Sequence, residues 1–87
     1  MQVLYSGHVQ GVGFRYTAKT VATGFDVVGT VRNLPDGRVE LIAEGEKSEL
    51  DAFRGALREA GLAGLIRHEA VEWTEPESGF RGFEIVR

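Results

Sequence analysis

The chain of 87 residues has no cysteine, only two histidines and no long apolar run. Without thiols there can be no disulfide framework, no thiolate nucleophile and no Cys-based zinc site. His8 and His68 are the only imidazoles and lie far apart in sequence, so no metal site is expected. No segment is long enough to cross a bilayer, and no charged-then-apolar leader precedes the first strand, so a soluble cytoplasmic protein with no membrane contact is expected. Positive charge is scarce as well, with 10 Lys and Arg against 13 Asp and Glu and a net charge of −3. Broad nucleic-acid binding needs many phosphate-facing cations, so no nucleic-acid partner is expected. A small anionic ligand stays open, because a local pocket can be positive on an acidic protein.

What is present fits one core. At this length residues 1–87 are expected to form a single domain that buries roughly 60–65% of its unfolded surface. A hydrophobic share of 43% and a charged share of 26% are those of an ordinary globular chain. No repeat, linker or low-complexity segment interrupts it.

Period two runs from Gln2 to Val9, with Val3, Tyr5, Gly7 and Val9 on one face and Leu4, Ser6 and His8 on the other, which predicts a strand. From Phe14 the period becomes helical through Ala18, Val21 and Ala22, and Gly24 is placed to end the helix. Val27 to Asn33 is the second predicted strand, Leu34 to Gly37 ("LPDG") a turn with Pro35 preset for its second position, and Arg38 to Glu44 the third strand. Ser48 is expected to cap a second helix, with Glu49 and Asp51 in its first turn, a stripe of Leu50, Phe53, Ala56, Leu57 and Ala60, and Gly61 at its close. Leu65 to Thr74 and Gly82 to Arg87 complete the strands, and Trp73 and Phe83 are assigned to the core.

This order is the split β-α-β, an α+β ferredoxin-like sandwich with two helices on one face of an antiparallel sheet. A helical crossover makes strands one and two parallel, with strand three between them. The loop after strand one and Asn33 at the end of strand two then meet at one sheet edge, about two strand spacings (~10 Å) apart.

That loop lies within "GHVQGVGFR", Gly7 to Arg15. It follows a strand and opens a helix, where unpaired amides gather at the positive end of the dipole. Gly11 and Gly13 permit positive φ, so that successive N–H groups can converge into a nest. Arg15 stands in the first helical turn, where a cation opposes the dipole. A local rule broken at a glycine-rich helix start points to function, here to an anion such as phosphate. Each residue also has a plain alternative: turn glycines, a solvated Arg15, and an Asn33 that bonds its own backbone beside the turn. His8 fits a half-exposed strand residue better than a base, and Lys19 and Arg32 fit surface charges.

Standard nucleotide motifs fail. "GVGFRY" has Tyr16 where a dinucleotide fingerprint needs its last glycine, and no glycine-lysine pair completes a P-loop. "RGFEIV" (Arg81 to Val86) opens like an RNA-recognition strand but carries Glu84 and Ile85 where a small residue and a stacking aromatic belong.

"GHVQGVGFR" followed by "GTVRNLPDGRVELIAEG" (Gly29 to Gly45) resembles the two signatures of the acylphosphatases, in the right order and separation. The resemblance implies hydrolysis of carboxyl-phosphate bonds to carboxylate and inorganic phosphate. It implies that the amides of Gln10, Gly11, Val12, Gly13, Phe14 and Arg15 bind the phosphoryl oxygens, with help from the Arg15 side chain, and that Asn33 positions the attacking water. No cofactor and no metal enter this scheme. The expected partner is a small acyl phosphate and the expected state a monomer. Thr30 stands where acylphosphatases often carry an aromatic, a departure that bears on packing or substrate fit. Two other classes compete: a non-catalytic phosphate sensor of the same fold, and an interaction domain of the kind found within larger maturation proteins.

Overall fold

The computed structural model describes residues 1–75 and 79–87. Period-two burial shapes the first strand, β1 (Gln2–Gly7), in which Val3 and Tyr5 are buried while Leu4 and Ser6 are half-buried. The strand stops two residues short of the expected Val9. Its register against the fourth strand shifts between Ser6 and Gly7, and the His8 amide donates to the Leu65 carbonyl at 2.9 Å as the chain turns out of the sheet. Val9 nevertheless stays in the core.

Helix α1 (Phe14–Ala22) buries Phe14, Ala18 and Ala22, the helical stripe expected from the sequence. Strands β2 (Val28–Asn33) and β3 (Val39–Glu44) form the hairpin around Leu34–Gly37, with Asn33 opposite Val39 in register. Helix α2 (Lys47–Leu57) buries Leu50, Phe53 and Leu57. Its N-cap is Glu46, with no side-chain cap bond, and not Ser48. Glu49 turns outward to accept the Asp26 N–H at 2.9 Å, which ties the helix start to the chain entering β2. A π turn over Arg58–Leu62 follows, where Gly61 (φ 96°) leaves helical geometry as its position suggested.

Strand β4 (Ile66–Glu72) is shorter at both ends than Leu65 to Thr74, and β5 (Phe83–Ile85) is shorter than Gly82 to Arg87. The sheet order is β4-β1-β3-β2-β5. The pairings β4/β1, β1/β3 and β3/β2 are antiparallel, as the split β-α-β requires. The pairing of β5 with β2 is parallel, which corrects the wholly antiparallel expectation and makes the sheet mixed. Parallel pairing has a positional effect: β5 ends at the same edge of the sheet as β2.

Both helices cover one face. Val3, Tyr5, Val31, Val39 and Leu41 from the sheet meet Phe14, Ala18, Phe53 and Leu57 from the helices, with Phe53 edge-on to Phe83 at 5.5 Å. Burying each such side chain is worth roughly 1.5–3 kcal/mol, so this layer dominates stability. The Glu69 carboxylate of β4 is held by Arg54 (3.0 Å) and Arg58, which pins the end of α2 to the sheet edge. Phe83 is buried as expected, but Trp73 is not: it lies just beyond β4, 48% exposed, with the Lys47 ammonium 5.1 Å from its ring centre.

Candidate active site

The loop between β1 and α1 owes its shape to two glycines. Gly11 (φ 75°) and Gly13 (φ 80°) both occupy the left-handed region, while a Cβ at either would meet nothing within 4 Å. Conformation, not space, therefore demands glycine at both positions. Gly13 is the N-cap of α1, so no side chain caps the helix, and no acidic residue stands in its first turn. The first helical bond runs from the Thr17 N–H to the Gly13 carbonyl at 2.9 Å. Among the described residues, the amides of Gly11 through Arg15 donate to no protein acceptor. Free donors at the positive end of a helix dipole form an anion-binding surface.

Gln10 acts differently from its neighbours. Its side-chain amide donates to the carbonyls of Leu34 (2.8 Å) and Arg38 (2.9 Å). It thereby ties the loop to the β2–β3 hairpin, the element that carries Asn33.

Arg15 and Asn33 line one cavity of about 150 Å³, together with Val9, Gly11, Gly13, Phe14, Tyr16 and Ile85. Of the residues expected to bind phosphate, Gly11, Gly13, Phe14 and Arg15 thus meet Asn33 across the cavity. Gln10 and Val12 do not line it: Gln10 bonds the hairpin and Val12 packs against the core. Arg15 forms no ion pair among the described residues, so its charge is uncommitted. Asn33 Oδ1 is buried and has no hydrogen-bond partner among them. A buried, unpaired amide oxygen costs about 1–3 kcal/mol.

Other candidates fall away from this edge. His8 is exposed and does not line the cavity. Arg32 pairs with Glu40 at 2.8 Å, Lys19 is exposed on α1, and Thr30 sits mid-strand opposite Ile42, clear of the cavity lining. In the hairpin turn, the Arg38 backbone N–H and then its guanidinium hold the Asp36 carboxyl below its usual range, so that carboxylate stays ionised next to its own cation. Beneath the loop, Tyr5 packs against Phe14 with ring centres 4.9 Å apart and planes tilted by 53°, and burial, then the Glu69 charge, pushes its phenol well above the ordinary range. The sequence reading missed Tyr16 and Ile85 as cavity residues. The available signal was a large aromatic directly after Arg15 on an otherwise polar helix face.

Comparison with known proteins places the whole chain in one family. The chain matches the acylphosphatase family model over residues 1–85. It is 42% identical over 87 residues to the acylphosphatase of Trichormus variabilis, covering 100% of this chain and 85% of that one. The crystal structure of acylphosphatase from Bacillus subtilis superposes with a TM-score of 0.87 at 34% identity, covering 99% of this chain and 96% of that one. The T. kodakarensis HypF structure also matches, with a TM-score of 0.84 at 26% identity over 99% of this chain but only 11% of HypF. With the family model spanning almost all of the sequence and a relative above 40% identity along its full length, this chain belongs to the acylphosphatase family.

Proposed function

We propose that this acylphosphatase hydrolyses acyl phosphates without a metal ion, holding the phosphoryl group on the Gly11–Arg15 amides and the Arg15 guanidinium, and aiming the attacking water with Asn33. The observation that carries the reading is that Asn33, the Arg15 guanidinium with no ion pair among the described residues, and the start of α1 all border one cavity.

An acyl phosphate is a mixed anhydride whose leaving group is a carboxylate, which needs no proton near neutral pH. The protein's task is then to position the reactants and stabilise charge on the equatorial phosphoryl oxygens. Backbone N–H groups and a planar guanidinium suit those oxygens. The Asn33 side-chain amide, which can both accept from and donate to a water, holds that water with a lone pair toward phosphorus. The water oxygen bonds to phosphorus as the bond from phosphorus to the carboxylate oxygen breaks. The electron pair leaves with the carboxylate, and a phosphate oxygen takes one water proton. No side-chain base is required.

The test is hydrolysis of acetyl phosphate and benzoyl phosphate in the presence of EDTA, beside a phosphate monoester. Both acyl phosphates should turn over at rates EDTA leaves unchanged, and the monoester should not react. Activity lost to EDTA and restored by magnesium or zinc would overturn the metal-free route.

A further inference from the structure

We propose that Tyr16 and Ile85 form an acyl-group subsite beside the phosphate nest, which makes the enzyme selective for acyl phosphates with a flat, uncharged, apolar acyl group. The inference rests on the hydrolase reading above and deepens it.

Among the described residues the large exposed hydrophobics are Tyr16 (72%), Ile85 (38%) and Trp73. Scattered exposed apolar side chains are ordinary. Here, two of the three border the cavity that also holds Arg15 and Asn33. They arrive from separate elements. Tyr16 belongs to the first turn of α1, one residue after Arg15. Ile85 ends β5, opposite Val31 in parallel register, so it reaches the edge where β2 ends in Asn33. Parallel pairing of that short strand is what brings an apolar side chain to the mouth of a polar site.

Size and charge define the ligand. A water's share of liquid volume is about 30 Å³, so 150 Å³ offers room for about five waters. A phosphoryl group occupies only part of that. The rest of the lining is apolar, from Val9, Phe14, Tyr16 and Ile85, and among the described residues Arg15 is its one charged side chain. Arg15 is already engaged by the phosphoryl oxygens in the hydrolase reading. A charged acyl group therefore finds no counter-charge, whereas an aromatic one can stack on the Tyr16 ring.

The experiment compares benzoyl phosphate with acetyl phosphate in wild type, Tyr16→Ala, Tyr16→Phe and Ile85→Ser, and titrates benzylphosphonate and methylphosphonate as non-hydrolysable probes. Wild type should prefer the aromatic member of each pair by about tenfold or more, in kcat/KM and in Kd. Tyr16→Ala should erase most of that preference while inhibition by inorganic phosphate stays within about twofold. Tyr16→Phe should keep the preference, and Ile85→Ser should reduce it. Because Tyr16 is largely exposed, its variants carry no core loss. Equal losses on both substrates for Tyr16→Ala, or no wild-type preference for benzylphosphonate, would overturn the subsite. Tyr16-dependent preference for benzylphosphonate without any turnover would uphold the subsite and overturn the hydrolase reading instead.

Discussion

The side-chain amide of Gln10 spans from the glycine loop to the carbonyl of Leu34, at 2.8 Å, immediately beyond Asn33. One side chain thus ties the glycine loop proposed to bind phosphate to the strand end that carries the residue proposed to hold water. Both carbonyls that Gln10 reaches keep another donor without it: Leu34 O accepts from the Gly37 N–H and Arg38 O from the Leu34 N–H. Gln10→Ala should therefore cost only ~1 kcal/mol of stability. The effect on catalysis should be larger, since misplacement of about 1 Å can cost up to ~10²-fold. A fall in kcat/KM of ten- to a hundredfold is expected, with urea unfolding showing a small shift. Unchanged kinetics would mean that the loop holds its place without the bridge.

Among the described residues, Arg15 is the one charged residue on the cavity and has no ion-pair partner. Its planar fork can meet two phosphoryl oxygens at once, which an ammonium cannot copy. Arg15→Ala and Arg15→Lys should both weaken inhibition by inorganic phosphate and lower turnover, measured by steady-state kinetics. Arg87→Ala, a change of charge away from the cavity lining, should do neither. Near-normal phosphate inhibition in Arg15→Ala would remove the guanidinium from the binding scheme.

Legibility in the sequence followed the range of the interaction. Gly11 and Gly13 could be read as positive-φ residues because the demand is local to their own backbone, and both adopt it. The alternation of Val3 and Tyr5 and the spacing of Phe14, Ala18 and Ala22 announced their buried faces for the same reason. The Gln10 bridge joins residues 24 and 28 positions apart, and no local pattern encodes it. Strand β5 has three paired residues, too few for its periodicity to reveal a direction, so its parallel pairing was illegible and with it the arrival of Ile85 at the cavity. Trp73 was misread because apolar character alone suggested the core. It follows the last strand residue, where the sheet no longer has a covered face to offer.

Tyr5 offers a test on stability alone. Its hydroxyl is buried and has no partner among the described residues, and burial holds its phenol above the ordinary range. Tyr5→Phe keeps the ring contact with Phe14 and removes the unpaired hydroxyl, so it should stabilise the fold by about 1 kcal/mol at pH 7. The pH dependence has a definite sign. Below pH ~10 both states keep the phenol proton; above it the unfolded chain loses the proton while the folded one retains it, so stability falls as pH rises. Tyr5→Phe should show a shallower alkaline loss above pH ~10 in denaturant titrations. Parallel losses in the two proteins would show that Tyr5 ionises as readily folded as unfolded.

Asn33 separates the two halves of the proposed site. If its side-chain amide orients water while the loop binds phosphate, Asn33 and Arg15 variants should fail in different ways. Interactions made mainly in the transition state show in turnover, and ground-state contacts show in binding. Asn33→Ala should lower kcat by ~10²-fold or more, the usual scale for losing a positioning or oxyanion group. Its affinity for inorganic phosphate should stay within a few-fold of wild type. The fold should survive, because Asn33 ends β2 and its lost oxygen has no partner among the described residues to strand. Asn33→Asp keeps the shape but sets an anion beside the phosphoryl group, so it should weaken phosphate binding as well as turnover. Steady-state kinetics with phosphate inhibition on both variants, with circular dichroism to confirm folding, decides the matter. A folded Asn33→Ala that turns over at the wild-type rate would reduce Asn33 to a residue of the hairpin and leave the water to another donor or acceptor on the same cavity.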